Sequence, residues 1–225
     1  MSLYAWLMLA SIVGPFALSF DKKVAFYKWW PSLFSGIAAN MFLFILWDSW
    51  FTQQNVWAFN ESYVWPARWL SLPLEEWSFF IIVPYASIFI YACLKAYFSD
   101  TWWQAKAYYL NFIFIVLCVL GLAFYSDRTY TFVNLSIALI LLLLHQFRLK
   151  TQYMGYFWFA YFVHLIPFLI INGILTGAAT PSPVVWYNPN EIIGLRIITI
   201  PIEDTIYALT CLLLPITILE AIRKP

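Results

Sequence analysis

Seven continuous apolar runs, each long enough to cross a bilayer, leave this chain few ways to fold. They extend from Leu3 to Phe20, Trp30 to Phe51, Leu72 to Phe98, Ala105 to Tyr125, Tyr130 to Phe147, Met154 to Leu175 and Ile200 to Ile222, and a membrane helix needs roughly 17–25 residues. The runs are unbroken rather than segments of about ten residues alternating apolar with polar, which selects helices over barrel strands. Apolar residues make up 64% of the 225 and charged residues 10%, too little polar surface to keep a domain of this size in water. The expected fold is all-α, a polytopic membrane protein of seven transmembrane helices.

Basic residues collect on the cytoplasmic side of membrane proteins, and on the seven-span arrangement they divide 9 against 3. Lys22, Lys23, Lys28, Lys95, Lys106, Arg148, Lys150, Arg223 and Lys224 share one side, Arg68, Arg128 and Arg196 the other. The N-terminus is therefore expected outside and the C-terminus in the cytoplasm, with the chain integral to a prokaryotic inner membrane. Ala17 and Ser19 imitate a signal cleavage site, but no basic region precedes the first span and Lys22 and Lys23 follow it, the bias of an N-out helix. Cys93, Cys118 and Cys211 fall inside spans as small apolar fillers, so neither a disulfide nor a metal site is expected. A net charge of +1 gives no reason to expect nucleic acid as a partner.

The sequence repeats itself. A shift of 128 positions lays Phe59-Asn60 on Tyr187-Asn188, Arg68 on Arg196, Ser71-Leu72 on Thr199-Ile200, and Pro73-Leu74-Glu75-Glu76 on Pro201-Ile202-Glu203-Asp204. The first span falls on the fifth and the second roughly on the sixth, while the fourth has no counterpart. Two parallel three-helix units, 1–99 and 128–225, joined by a linker helix within 100–127, are expected to be related by a pseudo-twofold axis along the membrane normal.

Both acidic motifs then lie at one face. Each suits a helix start, with Pro where an N–H is not needed and acids near the positive end of the dipole. Two carboxylate pairs at membrane depth are costly unless they face a cavity or a partner, so a functional site is expected where the four acids converge. Adjacent residues on a helix point about 100° apart, and Glu75 and Glu203, identical in both copies, are the expected inward members, while Glu76 and Asp204 meet an Arg or water. Asp48, at the end of the second span, and Asn172, near the equivalent place in the sixth, are supporting candidates, as are the matched Asn60 and Asn188. Arg68 and Arg196 are placed to hold the outer carboxylates ionised or to snorkel to the interface. His164 lies mid-span without an evident counterpart and is read as satisfied by a neighbouring helix, and His145 is assigned no function. Aromatic residues make up 22% of the chain, with Trp47, Trp50, Trp57, Trp65, Trp69 and Trp77 crowded near the first acidic motif. Belts at the membrane interface and the walls of a cation-stabilising pocket both call for such residues; Trp47, Trp77, Phe80 and Tyr85 are the candidates for walls.

The segment from Leu72 through Pro73-Leu74-Glu75-Glu76-Trp77 to Pro84-Tyr85, with Pro201-Ile202-Glu203-Asp204 and the upstream Trp47-Asp48, resembles the membrane-integral lycopene cyclase family over nearly the whole chain. The likeness is to the fused form, in which both homologous halves are in one polypeptide. Thr205 stands where the first copy has Trp77, which puts the second pocket wall in doubt. The resemblance implies acid-catalysed closure of the ends of lycopene to β-ionone rings, giving γ-carotene and β-carotene, with a lipophilic carotenoid as substrate and no cofactor. Glu75 and Glu203 would then serve as acid and base of one composite site, in an order the sequence leaves open, with Glu76 and Asp204 tuning or relaying protons. Rival readings are a proton-coupled small-solute transporter and a membrane terpene cyclase acting on another polyene. A prenyltransferase is excluded by the lack of Asp-rich loops, a retinal receptor by the lack of a Lys in the last span, and a flavin-dependent cyclase by the lack of a Gly-x-Gly-x-x-Gly turn.

Overall fold

The computed structural model describes residues 1–98, 101–149 and 152–223. Lys150, Lys224 and the unit boundary expected at 99–100 lie outside the described residues. Seven α-helices dominate: α1 (Leu3–Leu18), α2 (Trp30–Gln53), α3 (Leu74–Tyr97), α4 (Thr101–Tyr125), α5 (Thr129–Leu143), α6 (Met154–Leu175) and α7 (Glu203–Ile222). Six of them are long and apolar enough to cross a membrane, α5 by way of a wider π-type turn, Leu144–Leu149. The first, α1, is apolar but only 16 residues long, about 24 Å at the α-helical rise. The chain is an integral membrane protein by the length and composition of these helices.

Helix packing repeats as the sequence does. α1 lies on α3 as α5 lies on α7, α2 lies on α7 as α6 lies on α3, and α3 meets α7 between them. α4 has no equivalent and covers α5 and α6 from outside. One cluster of charges gathers at the end of the bundle where α3 and α7 finish. Lys95 pairs with Glu220 at 2.7 Å, Arg223 stacks 3.6 Å over Trp29, and Lys23 sits 3.9 Å over Tyr97.

Six short strands at the opposite end carry the repeat further. β2 (Arg68–Trp69) and β3 (Leu72–Pro73) form a hairpin that opens α3, and β5 (Arg196–Ile197) and β6 (Ile200–Pro201) form its twin before α7. The register is the same in both: Arg68 faces Pro73, and Arg196 faces Pro201. Pro73 and Pro201 therefore end strands just before each helix instead of sitting in its first turn, as the sequence suggested. Leu70 and Ser71 both take positive φ, 51° and 67°, which two-residue hairpin turns require and which side chains other than Gly adopt at a cost.

β1 (Trp57–Phe59) pairs antiparallel with β4 (Val185–Tyr187), and this pair marks the axis. Trp57 faces Tyr187, Phe59 faces Val185, and Ala58 faces Trp186, the residue 128 places along the chain from itself. Flanking bonds obey the same symmetry: the Asn60 N–H donates to the Val184 carbonyl, and the Asn188 N–H to the Val56 carbonyl, both at 2.9 Å.

Membrane helices approach closely where side chains are small, and α2 meets α7 at Gly36. A Cβ built there would stand 2.6 Å from the Pro215 carbonyl oxygen, which belongs to backbone and has little room to yield. Gly36→Val is expected to cost about 1–3 kcal/mol, the usual penalty for overpacking. Thermal unfolding in detergent micelles, followed by tryptophan fluorescence, measures it.

Candidate active site

Five acids are withdrawn from solvent at the hairpin end: Asp48, Glu75, Glu76, Glu203 and Asp204, none more than 8% exposed. Two different environments receive them. The first holds Glu75 and Glu203, each clamped by a backbone N–H ten residues upstream and by one hydroxyl. Trp65 N–H donates to Glu75 Oε1 at 2.8 Å and Ile193 N–H to Glu203 Oε1 at 2.6 Å. Ser2 Oγ adds a bond to Glu75, and Thr131 Oγ1 one of 2.7 Å to Glu203. Their other oxygens, Glu75 Oε2 and Glu203 Oε2, are buried without a donor among the described residues.

Glu76 and Asp204 occupy the second environment, and both line one small chamber of about 40 Å³. Its walls are aromatic: Tyr4, Trp57, Phe59, Phe79, Tyr130, Phe168, Tyr187 and Tyr207, with Asn172, Leu175 and Val185. The inward and outward members of each pair are thus the reverse of the expectation. The loop ahead of each hairpin delivers an N–H to the first acid of the pair, which leaves the second to turn toward the axis.

The two inward acids are held unequally. Asp204 accepts from three donors, Tyr130 Oη at 2.5 Å, Asn172 Nδ2 at 2.6 Å and Tyr187 Oη at 3.0 Å. Glu76 accepts from Tyr4 Oη at 2.7 Å, the counterpart of Tyr130, and lies beside a second acid, Asp48. Asp48 takes the place, relative to Glu76, that Asn172 takes relative to Asp204. It accepts a 2.6 Å bond from Trp57 Nε1, while its Oδ2 has no hydrogen-bond partner among the described residues. Asp48 and Glu76 are near enough to influence each other's charge, and two buried carboxyls side by side favour a state in which one of them carries a proton. Tyr187, in β4 and outside the helices, is a phenol pushed well above its ordinary value by burial and by the neighbouring Asp204 carboxyl, which keeps it a donor.

Several candidates stand elsewhere. Arg68 pairs with Glu61, and Arg196 donates to the Thr199 carbonyl in its own hairpin, so neither touches the acid pairs. Asn60 and Asn188 cap turns by accepting from the Ser62 and Asn190 N–H groups and tie the two halves together through Pro183 and Asn55. Tyr85 lies toward the other end of the bundle, against Ser19, Trp30 and Phe26. Trp77 stacks on Trp69 at 4.3 Å outside the chamber, so Thr205 in its place removes no wall. Trp47 and Phe80 are buried behind the chamber, each packed on Phe44. His164 does meet a neighbouring helix, with Ser87 Oγ 3.1 Å from its Nδ1. The 124-residue offset that relates Asp48 to Asn172 relates Asn40 to His164, so His164 has a positional counterpart after all. His145 bonds Thr217 at 2.9 Å. Tyr4, Tyr130, Tyr187 and Tyr207 were missed; Tyr4 and Tyr130, each near the start of its unit's first helix and 126 residues apart, gave the one available signal.

The lycopene cyclase family model matches this chain in two segments, residues 1–94 and 127–222. The chain belongs to the lycopene cyclase family. These segments coincide with the two structural units and leave α4 between them, and together they hold all five buried acids. No curated protein and no solved structure matches the sequence. Family membership makes the chain an enzyme of the cyclase type, with a role in lycopene cyclisation and carotenoid biosynthesis.

The clamps on the first acid of each pair carry a stability prediction. Glu75→Ala and Glu203→Ala each strand a buried N–H and should cost about 1–3 kcal/mol, while Glu75→Gln and Glu203→Gln keep an acceptor and should lose less. Unfolding in mixed micelles separates the two classes; equal stability of the Ala variants would show that the clamps contribute nothing.

Proposed function

We propose that this lycopene cyclase family member closes β-ionone rings at the ends of lycopene by general acid and base catalysis, with the Asp48–Glu76 pair as acid and Asp204 as base. The observation that carries the reading is the unequal company of the two inward carboxyls. A paired carboxyl that shares a proton is poised to donate it, and a carboxylate facing three donors is stabilised as the anion that receives one.

Glu76 delivers its proton to the terminal trisubstituted alkene, leaving a tertiary cation. The next double bond attacks that carbon and forms the ring bond, and the charge moves into the ring. Asp204 then removes a ring proton adjacent to the cation, which restores a double bond. One proton enters and one leaves, so the reaction is an isomerisation without an electron acceptor. Aromatic faces around the chamber attract the cation while water is excluded, and the proton returns from Asp204 to the acid pair before the next turnover. Lycopene and its monocyclic product are the substrates, and the products are γ-carotene and β-carotene.

The same reading places all seven helices across the membrane, with the N-terminus and the chamber toward the outer face and the charged end, with Lys23, Lys95 and Arg223, toward the cytoplasm of a prokaryotic cell. The 9-to-3 division of basic residues supports that orientation.

Expression in a bacterium that accumulates lycopene, followed by chromatography of the pigments, tests the assignment. The native chain should yield cyclic carotenoid. Glu76→Gln and Asp204→Asn should each lower conversion at least ~100-fold, the scale of a lost general acid or base, while Glu75→Gln and Glu203→Gln at matched expression should retain most of it. The opposite pattern would move acid and base to Glu75 and Glu203, whose unpartnered Oε2 atoms are the feature in their favour.

A further inference from the structure

A groove of about 330 Å³ runs between α1, α3 and α6, within the range of small-molecule sites. Its floor includes Phe79, Phe168 and Asn172, and the same three residues line the chamber that holds Glu76 and Asp204. At its other side lies Ile170, exposed on the surface where lipid would be. The hydroxyls on its walls are already bonded: Ser11 Oγ donates to the Leu7 carbonyl at 2.9 Å and Ser87 Oγ to the Val83 carbonyl at 2.7 Å. Of the other polar residues on the lining, Asn172 donates to Asp204 and His164 Nδ1 meets Ser87 Oγ, which leaves His164 Nε2 without a partner among the described residues; the rest is hydrocarbon surface leading from the bilayer to the acids, suited to a hydrocarbon chain and poor for a hydrophilic solute.

The pseudo-twofold axis demands a second approach along α5, α7 and α2, and the sequence has filled it. At the offsets that relate the units, Ala86 becomes Leu214, Pro15 becomes Leu141 and Ile171 becomes Trp47. Trp47 is buried there, its ring 5.2 Å from Phe44 and 5.5 Å from Tyr207, the counterparts of Phe168 and Phe79.

We propose that the chamber has one mouth, the α1–α3–α6 groove, through which one end of a linear polyene hydrocarbon enters from the membrane, so that the two ends react in separate binding events. The inference rests on the cyclase reading above for the identity of the polyene. At about 40 Å³ the chamber holds water-sized groups and not a ring; admission of an end group requires Phe79 and Phe168 to turn aside. After the first closure the cyclic end withdraws by the way it came, and the molecule reverses before the open end can enter.

The test uses the purified full chain in detergent with lycopene as probe. Protein-bound pigment is read after size exclusion, and extracted pigments are chromatographed over time. Ala86→Trp and Ser11→Phe block the groove from opposite walls and leave the acids untouched; Ile140→Trp, exposed on α5, is the control for added bulk. Expected is at least a tenfold loss of bound lycopene and of conversion in either groove variant that elutes as the native protein does. The native chain and Ile140→Trp should bind, convert, and release free monocyclic carotenoid before any bicyclic product appears. Normal binding and conversion by the groove variants overturns the inference and leaves the cyclase reading intact, as does bicyclic product formed without free monocyclic intermediate. Groove-dependent binding without conversion does the reverse, sustaining the groove and defeating the cyclase reading. A native chain that retains phospholipid and excludes lycopene overturns the polyene as occupant.

Discussion

A carboxyl taken out of water must find donors or a shared proton to replace the solvent it loses, and five acids at one end of this bundle impose that demand together. Much of the architecture at the hairpin end answers it. The β2–β3 and β5–β6 hairpins bring the chain back over the starts of α3 and α7, and the loops before them aim the Trp65 and Ile193 N–H groups at Glu75 and Glu203. The first helix of each unit contributes a phenol, Tyr4 or Tyr130, to the second acid. Because Glu75, Glu76, Glu203 and Asp204 occupy first turns, the helix dipoles favour their charge as well. Hairpins, helix starts and tyrosines form one connected network whose purpose is to hold carboxyls where lipid alone would expel them.

Symmetry builds the network, and departures from symmetry give it direction. A site with two identical halves would offer two equal carboxyls and no preferred route for a proton. Here a single change of residue type, Asp48 in one unit against Asn172 in the other, gives one inward acid an acidic neighbour and the other an amide donor. A second pair, Trp47 against Ile171, fills space in one unit that stays open in the other. Both differences sit on the second helix of the unit, α2 or α6, at neighbouring positions.

Much of this was legible in the sequence, because lipid constrains composition over whole spans and a gapless repeat constrains topology. Apolar runs located each helix to within a few residues, and the 128-residue offset anticipated the matched hairpin registers of Arg68 with Pro73 and Arg196 with Pro201. The family resemblance, drawn from the two acidic motifs, agrees with the match over both units. Which acid of each pair faces the axis was not legible, since it depends on where a backbone N–H of the preceding loop arrives, and a peptide group leaves no mark on residue type. Identity between copies pointed to Glu75 and Glu203, but identity was serving the clamp. The aromatic walls were equally hidden: Trp77 and Tyr85 are near the motif in sequence yet pack outward or toward the far end, whereas Tyr187 and Tyr207 come from the other unit.

The β1–β4 strap crosses the axis at Ala58 and Trp186, so each strand pairs with its own counterpart. Such an edge is self-complementary, and everything needed to specify the partner strand is already written in one half. Two copies of a single three-helix unit would meet through the same ladder, with the same chamber between them, and would need neither α4 nor a covalent connection to do so. Fusion into one polypeptide fixes which copy meets which. It thereby allows the two halves to differ at matched positions, as Asp48 and Asn172 do.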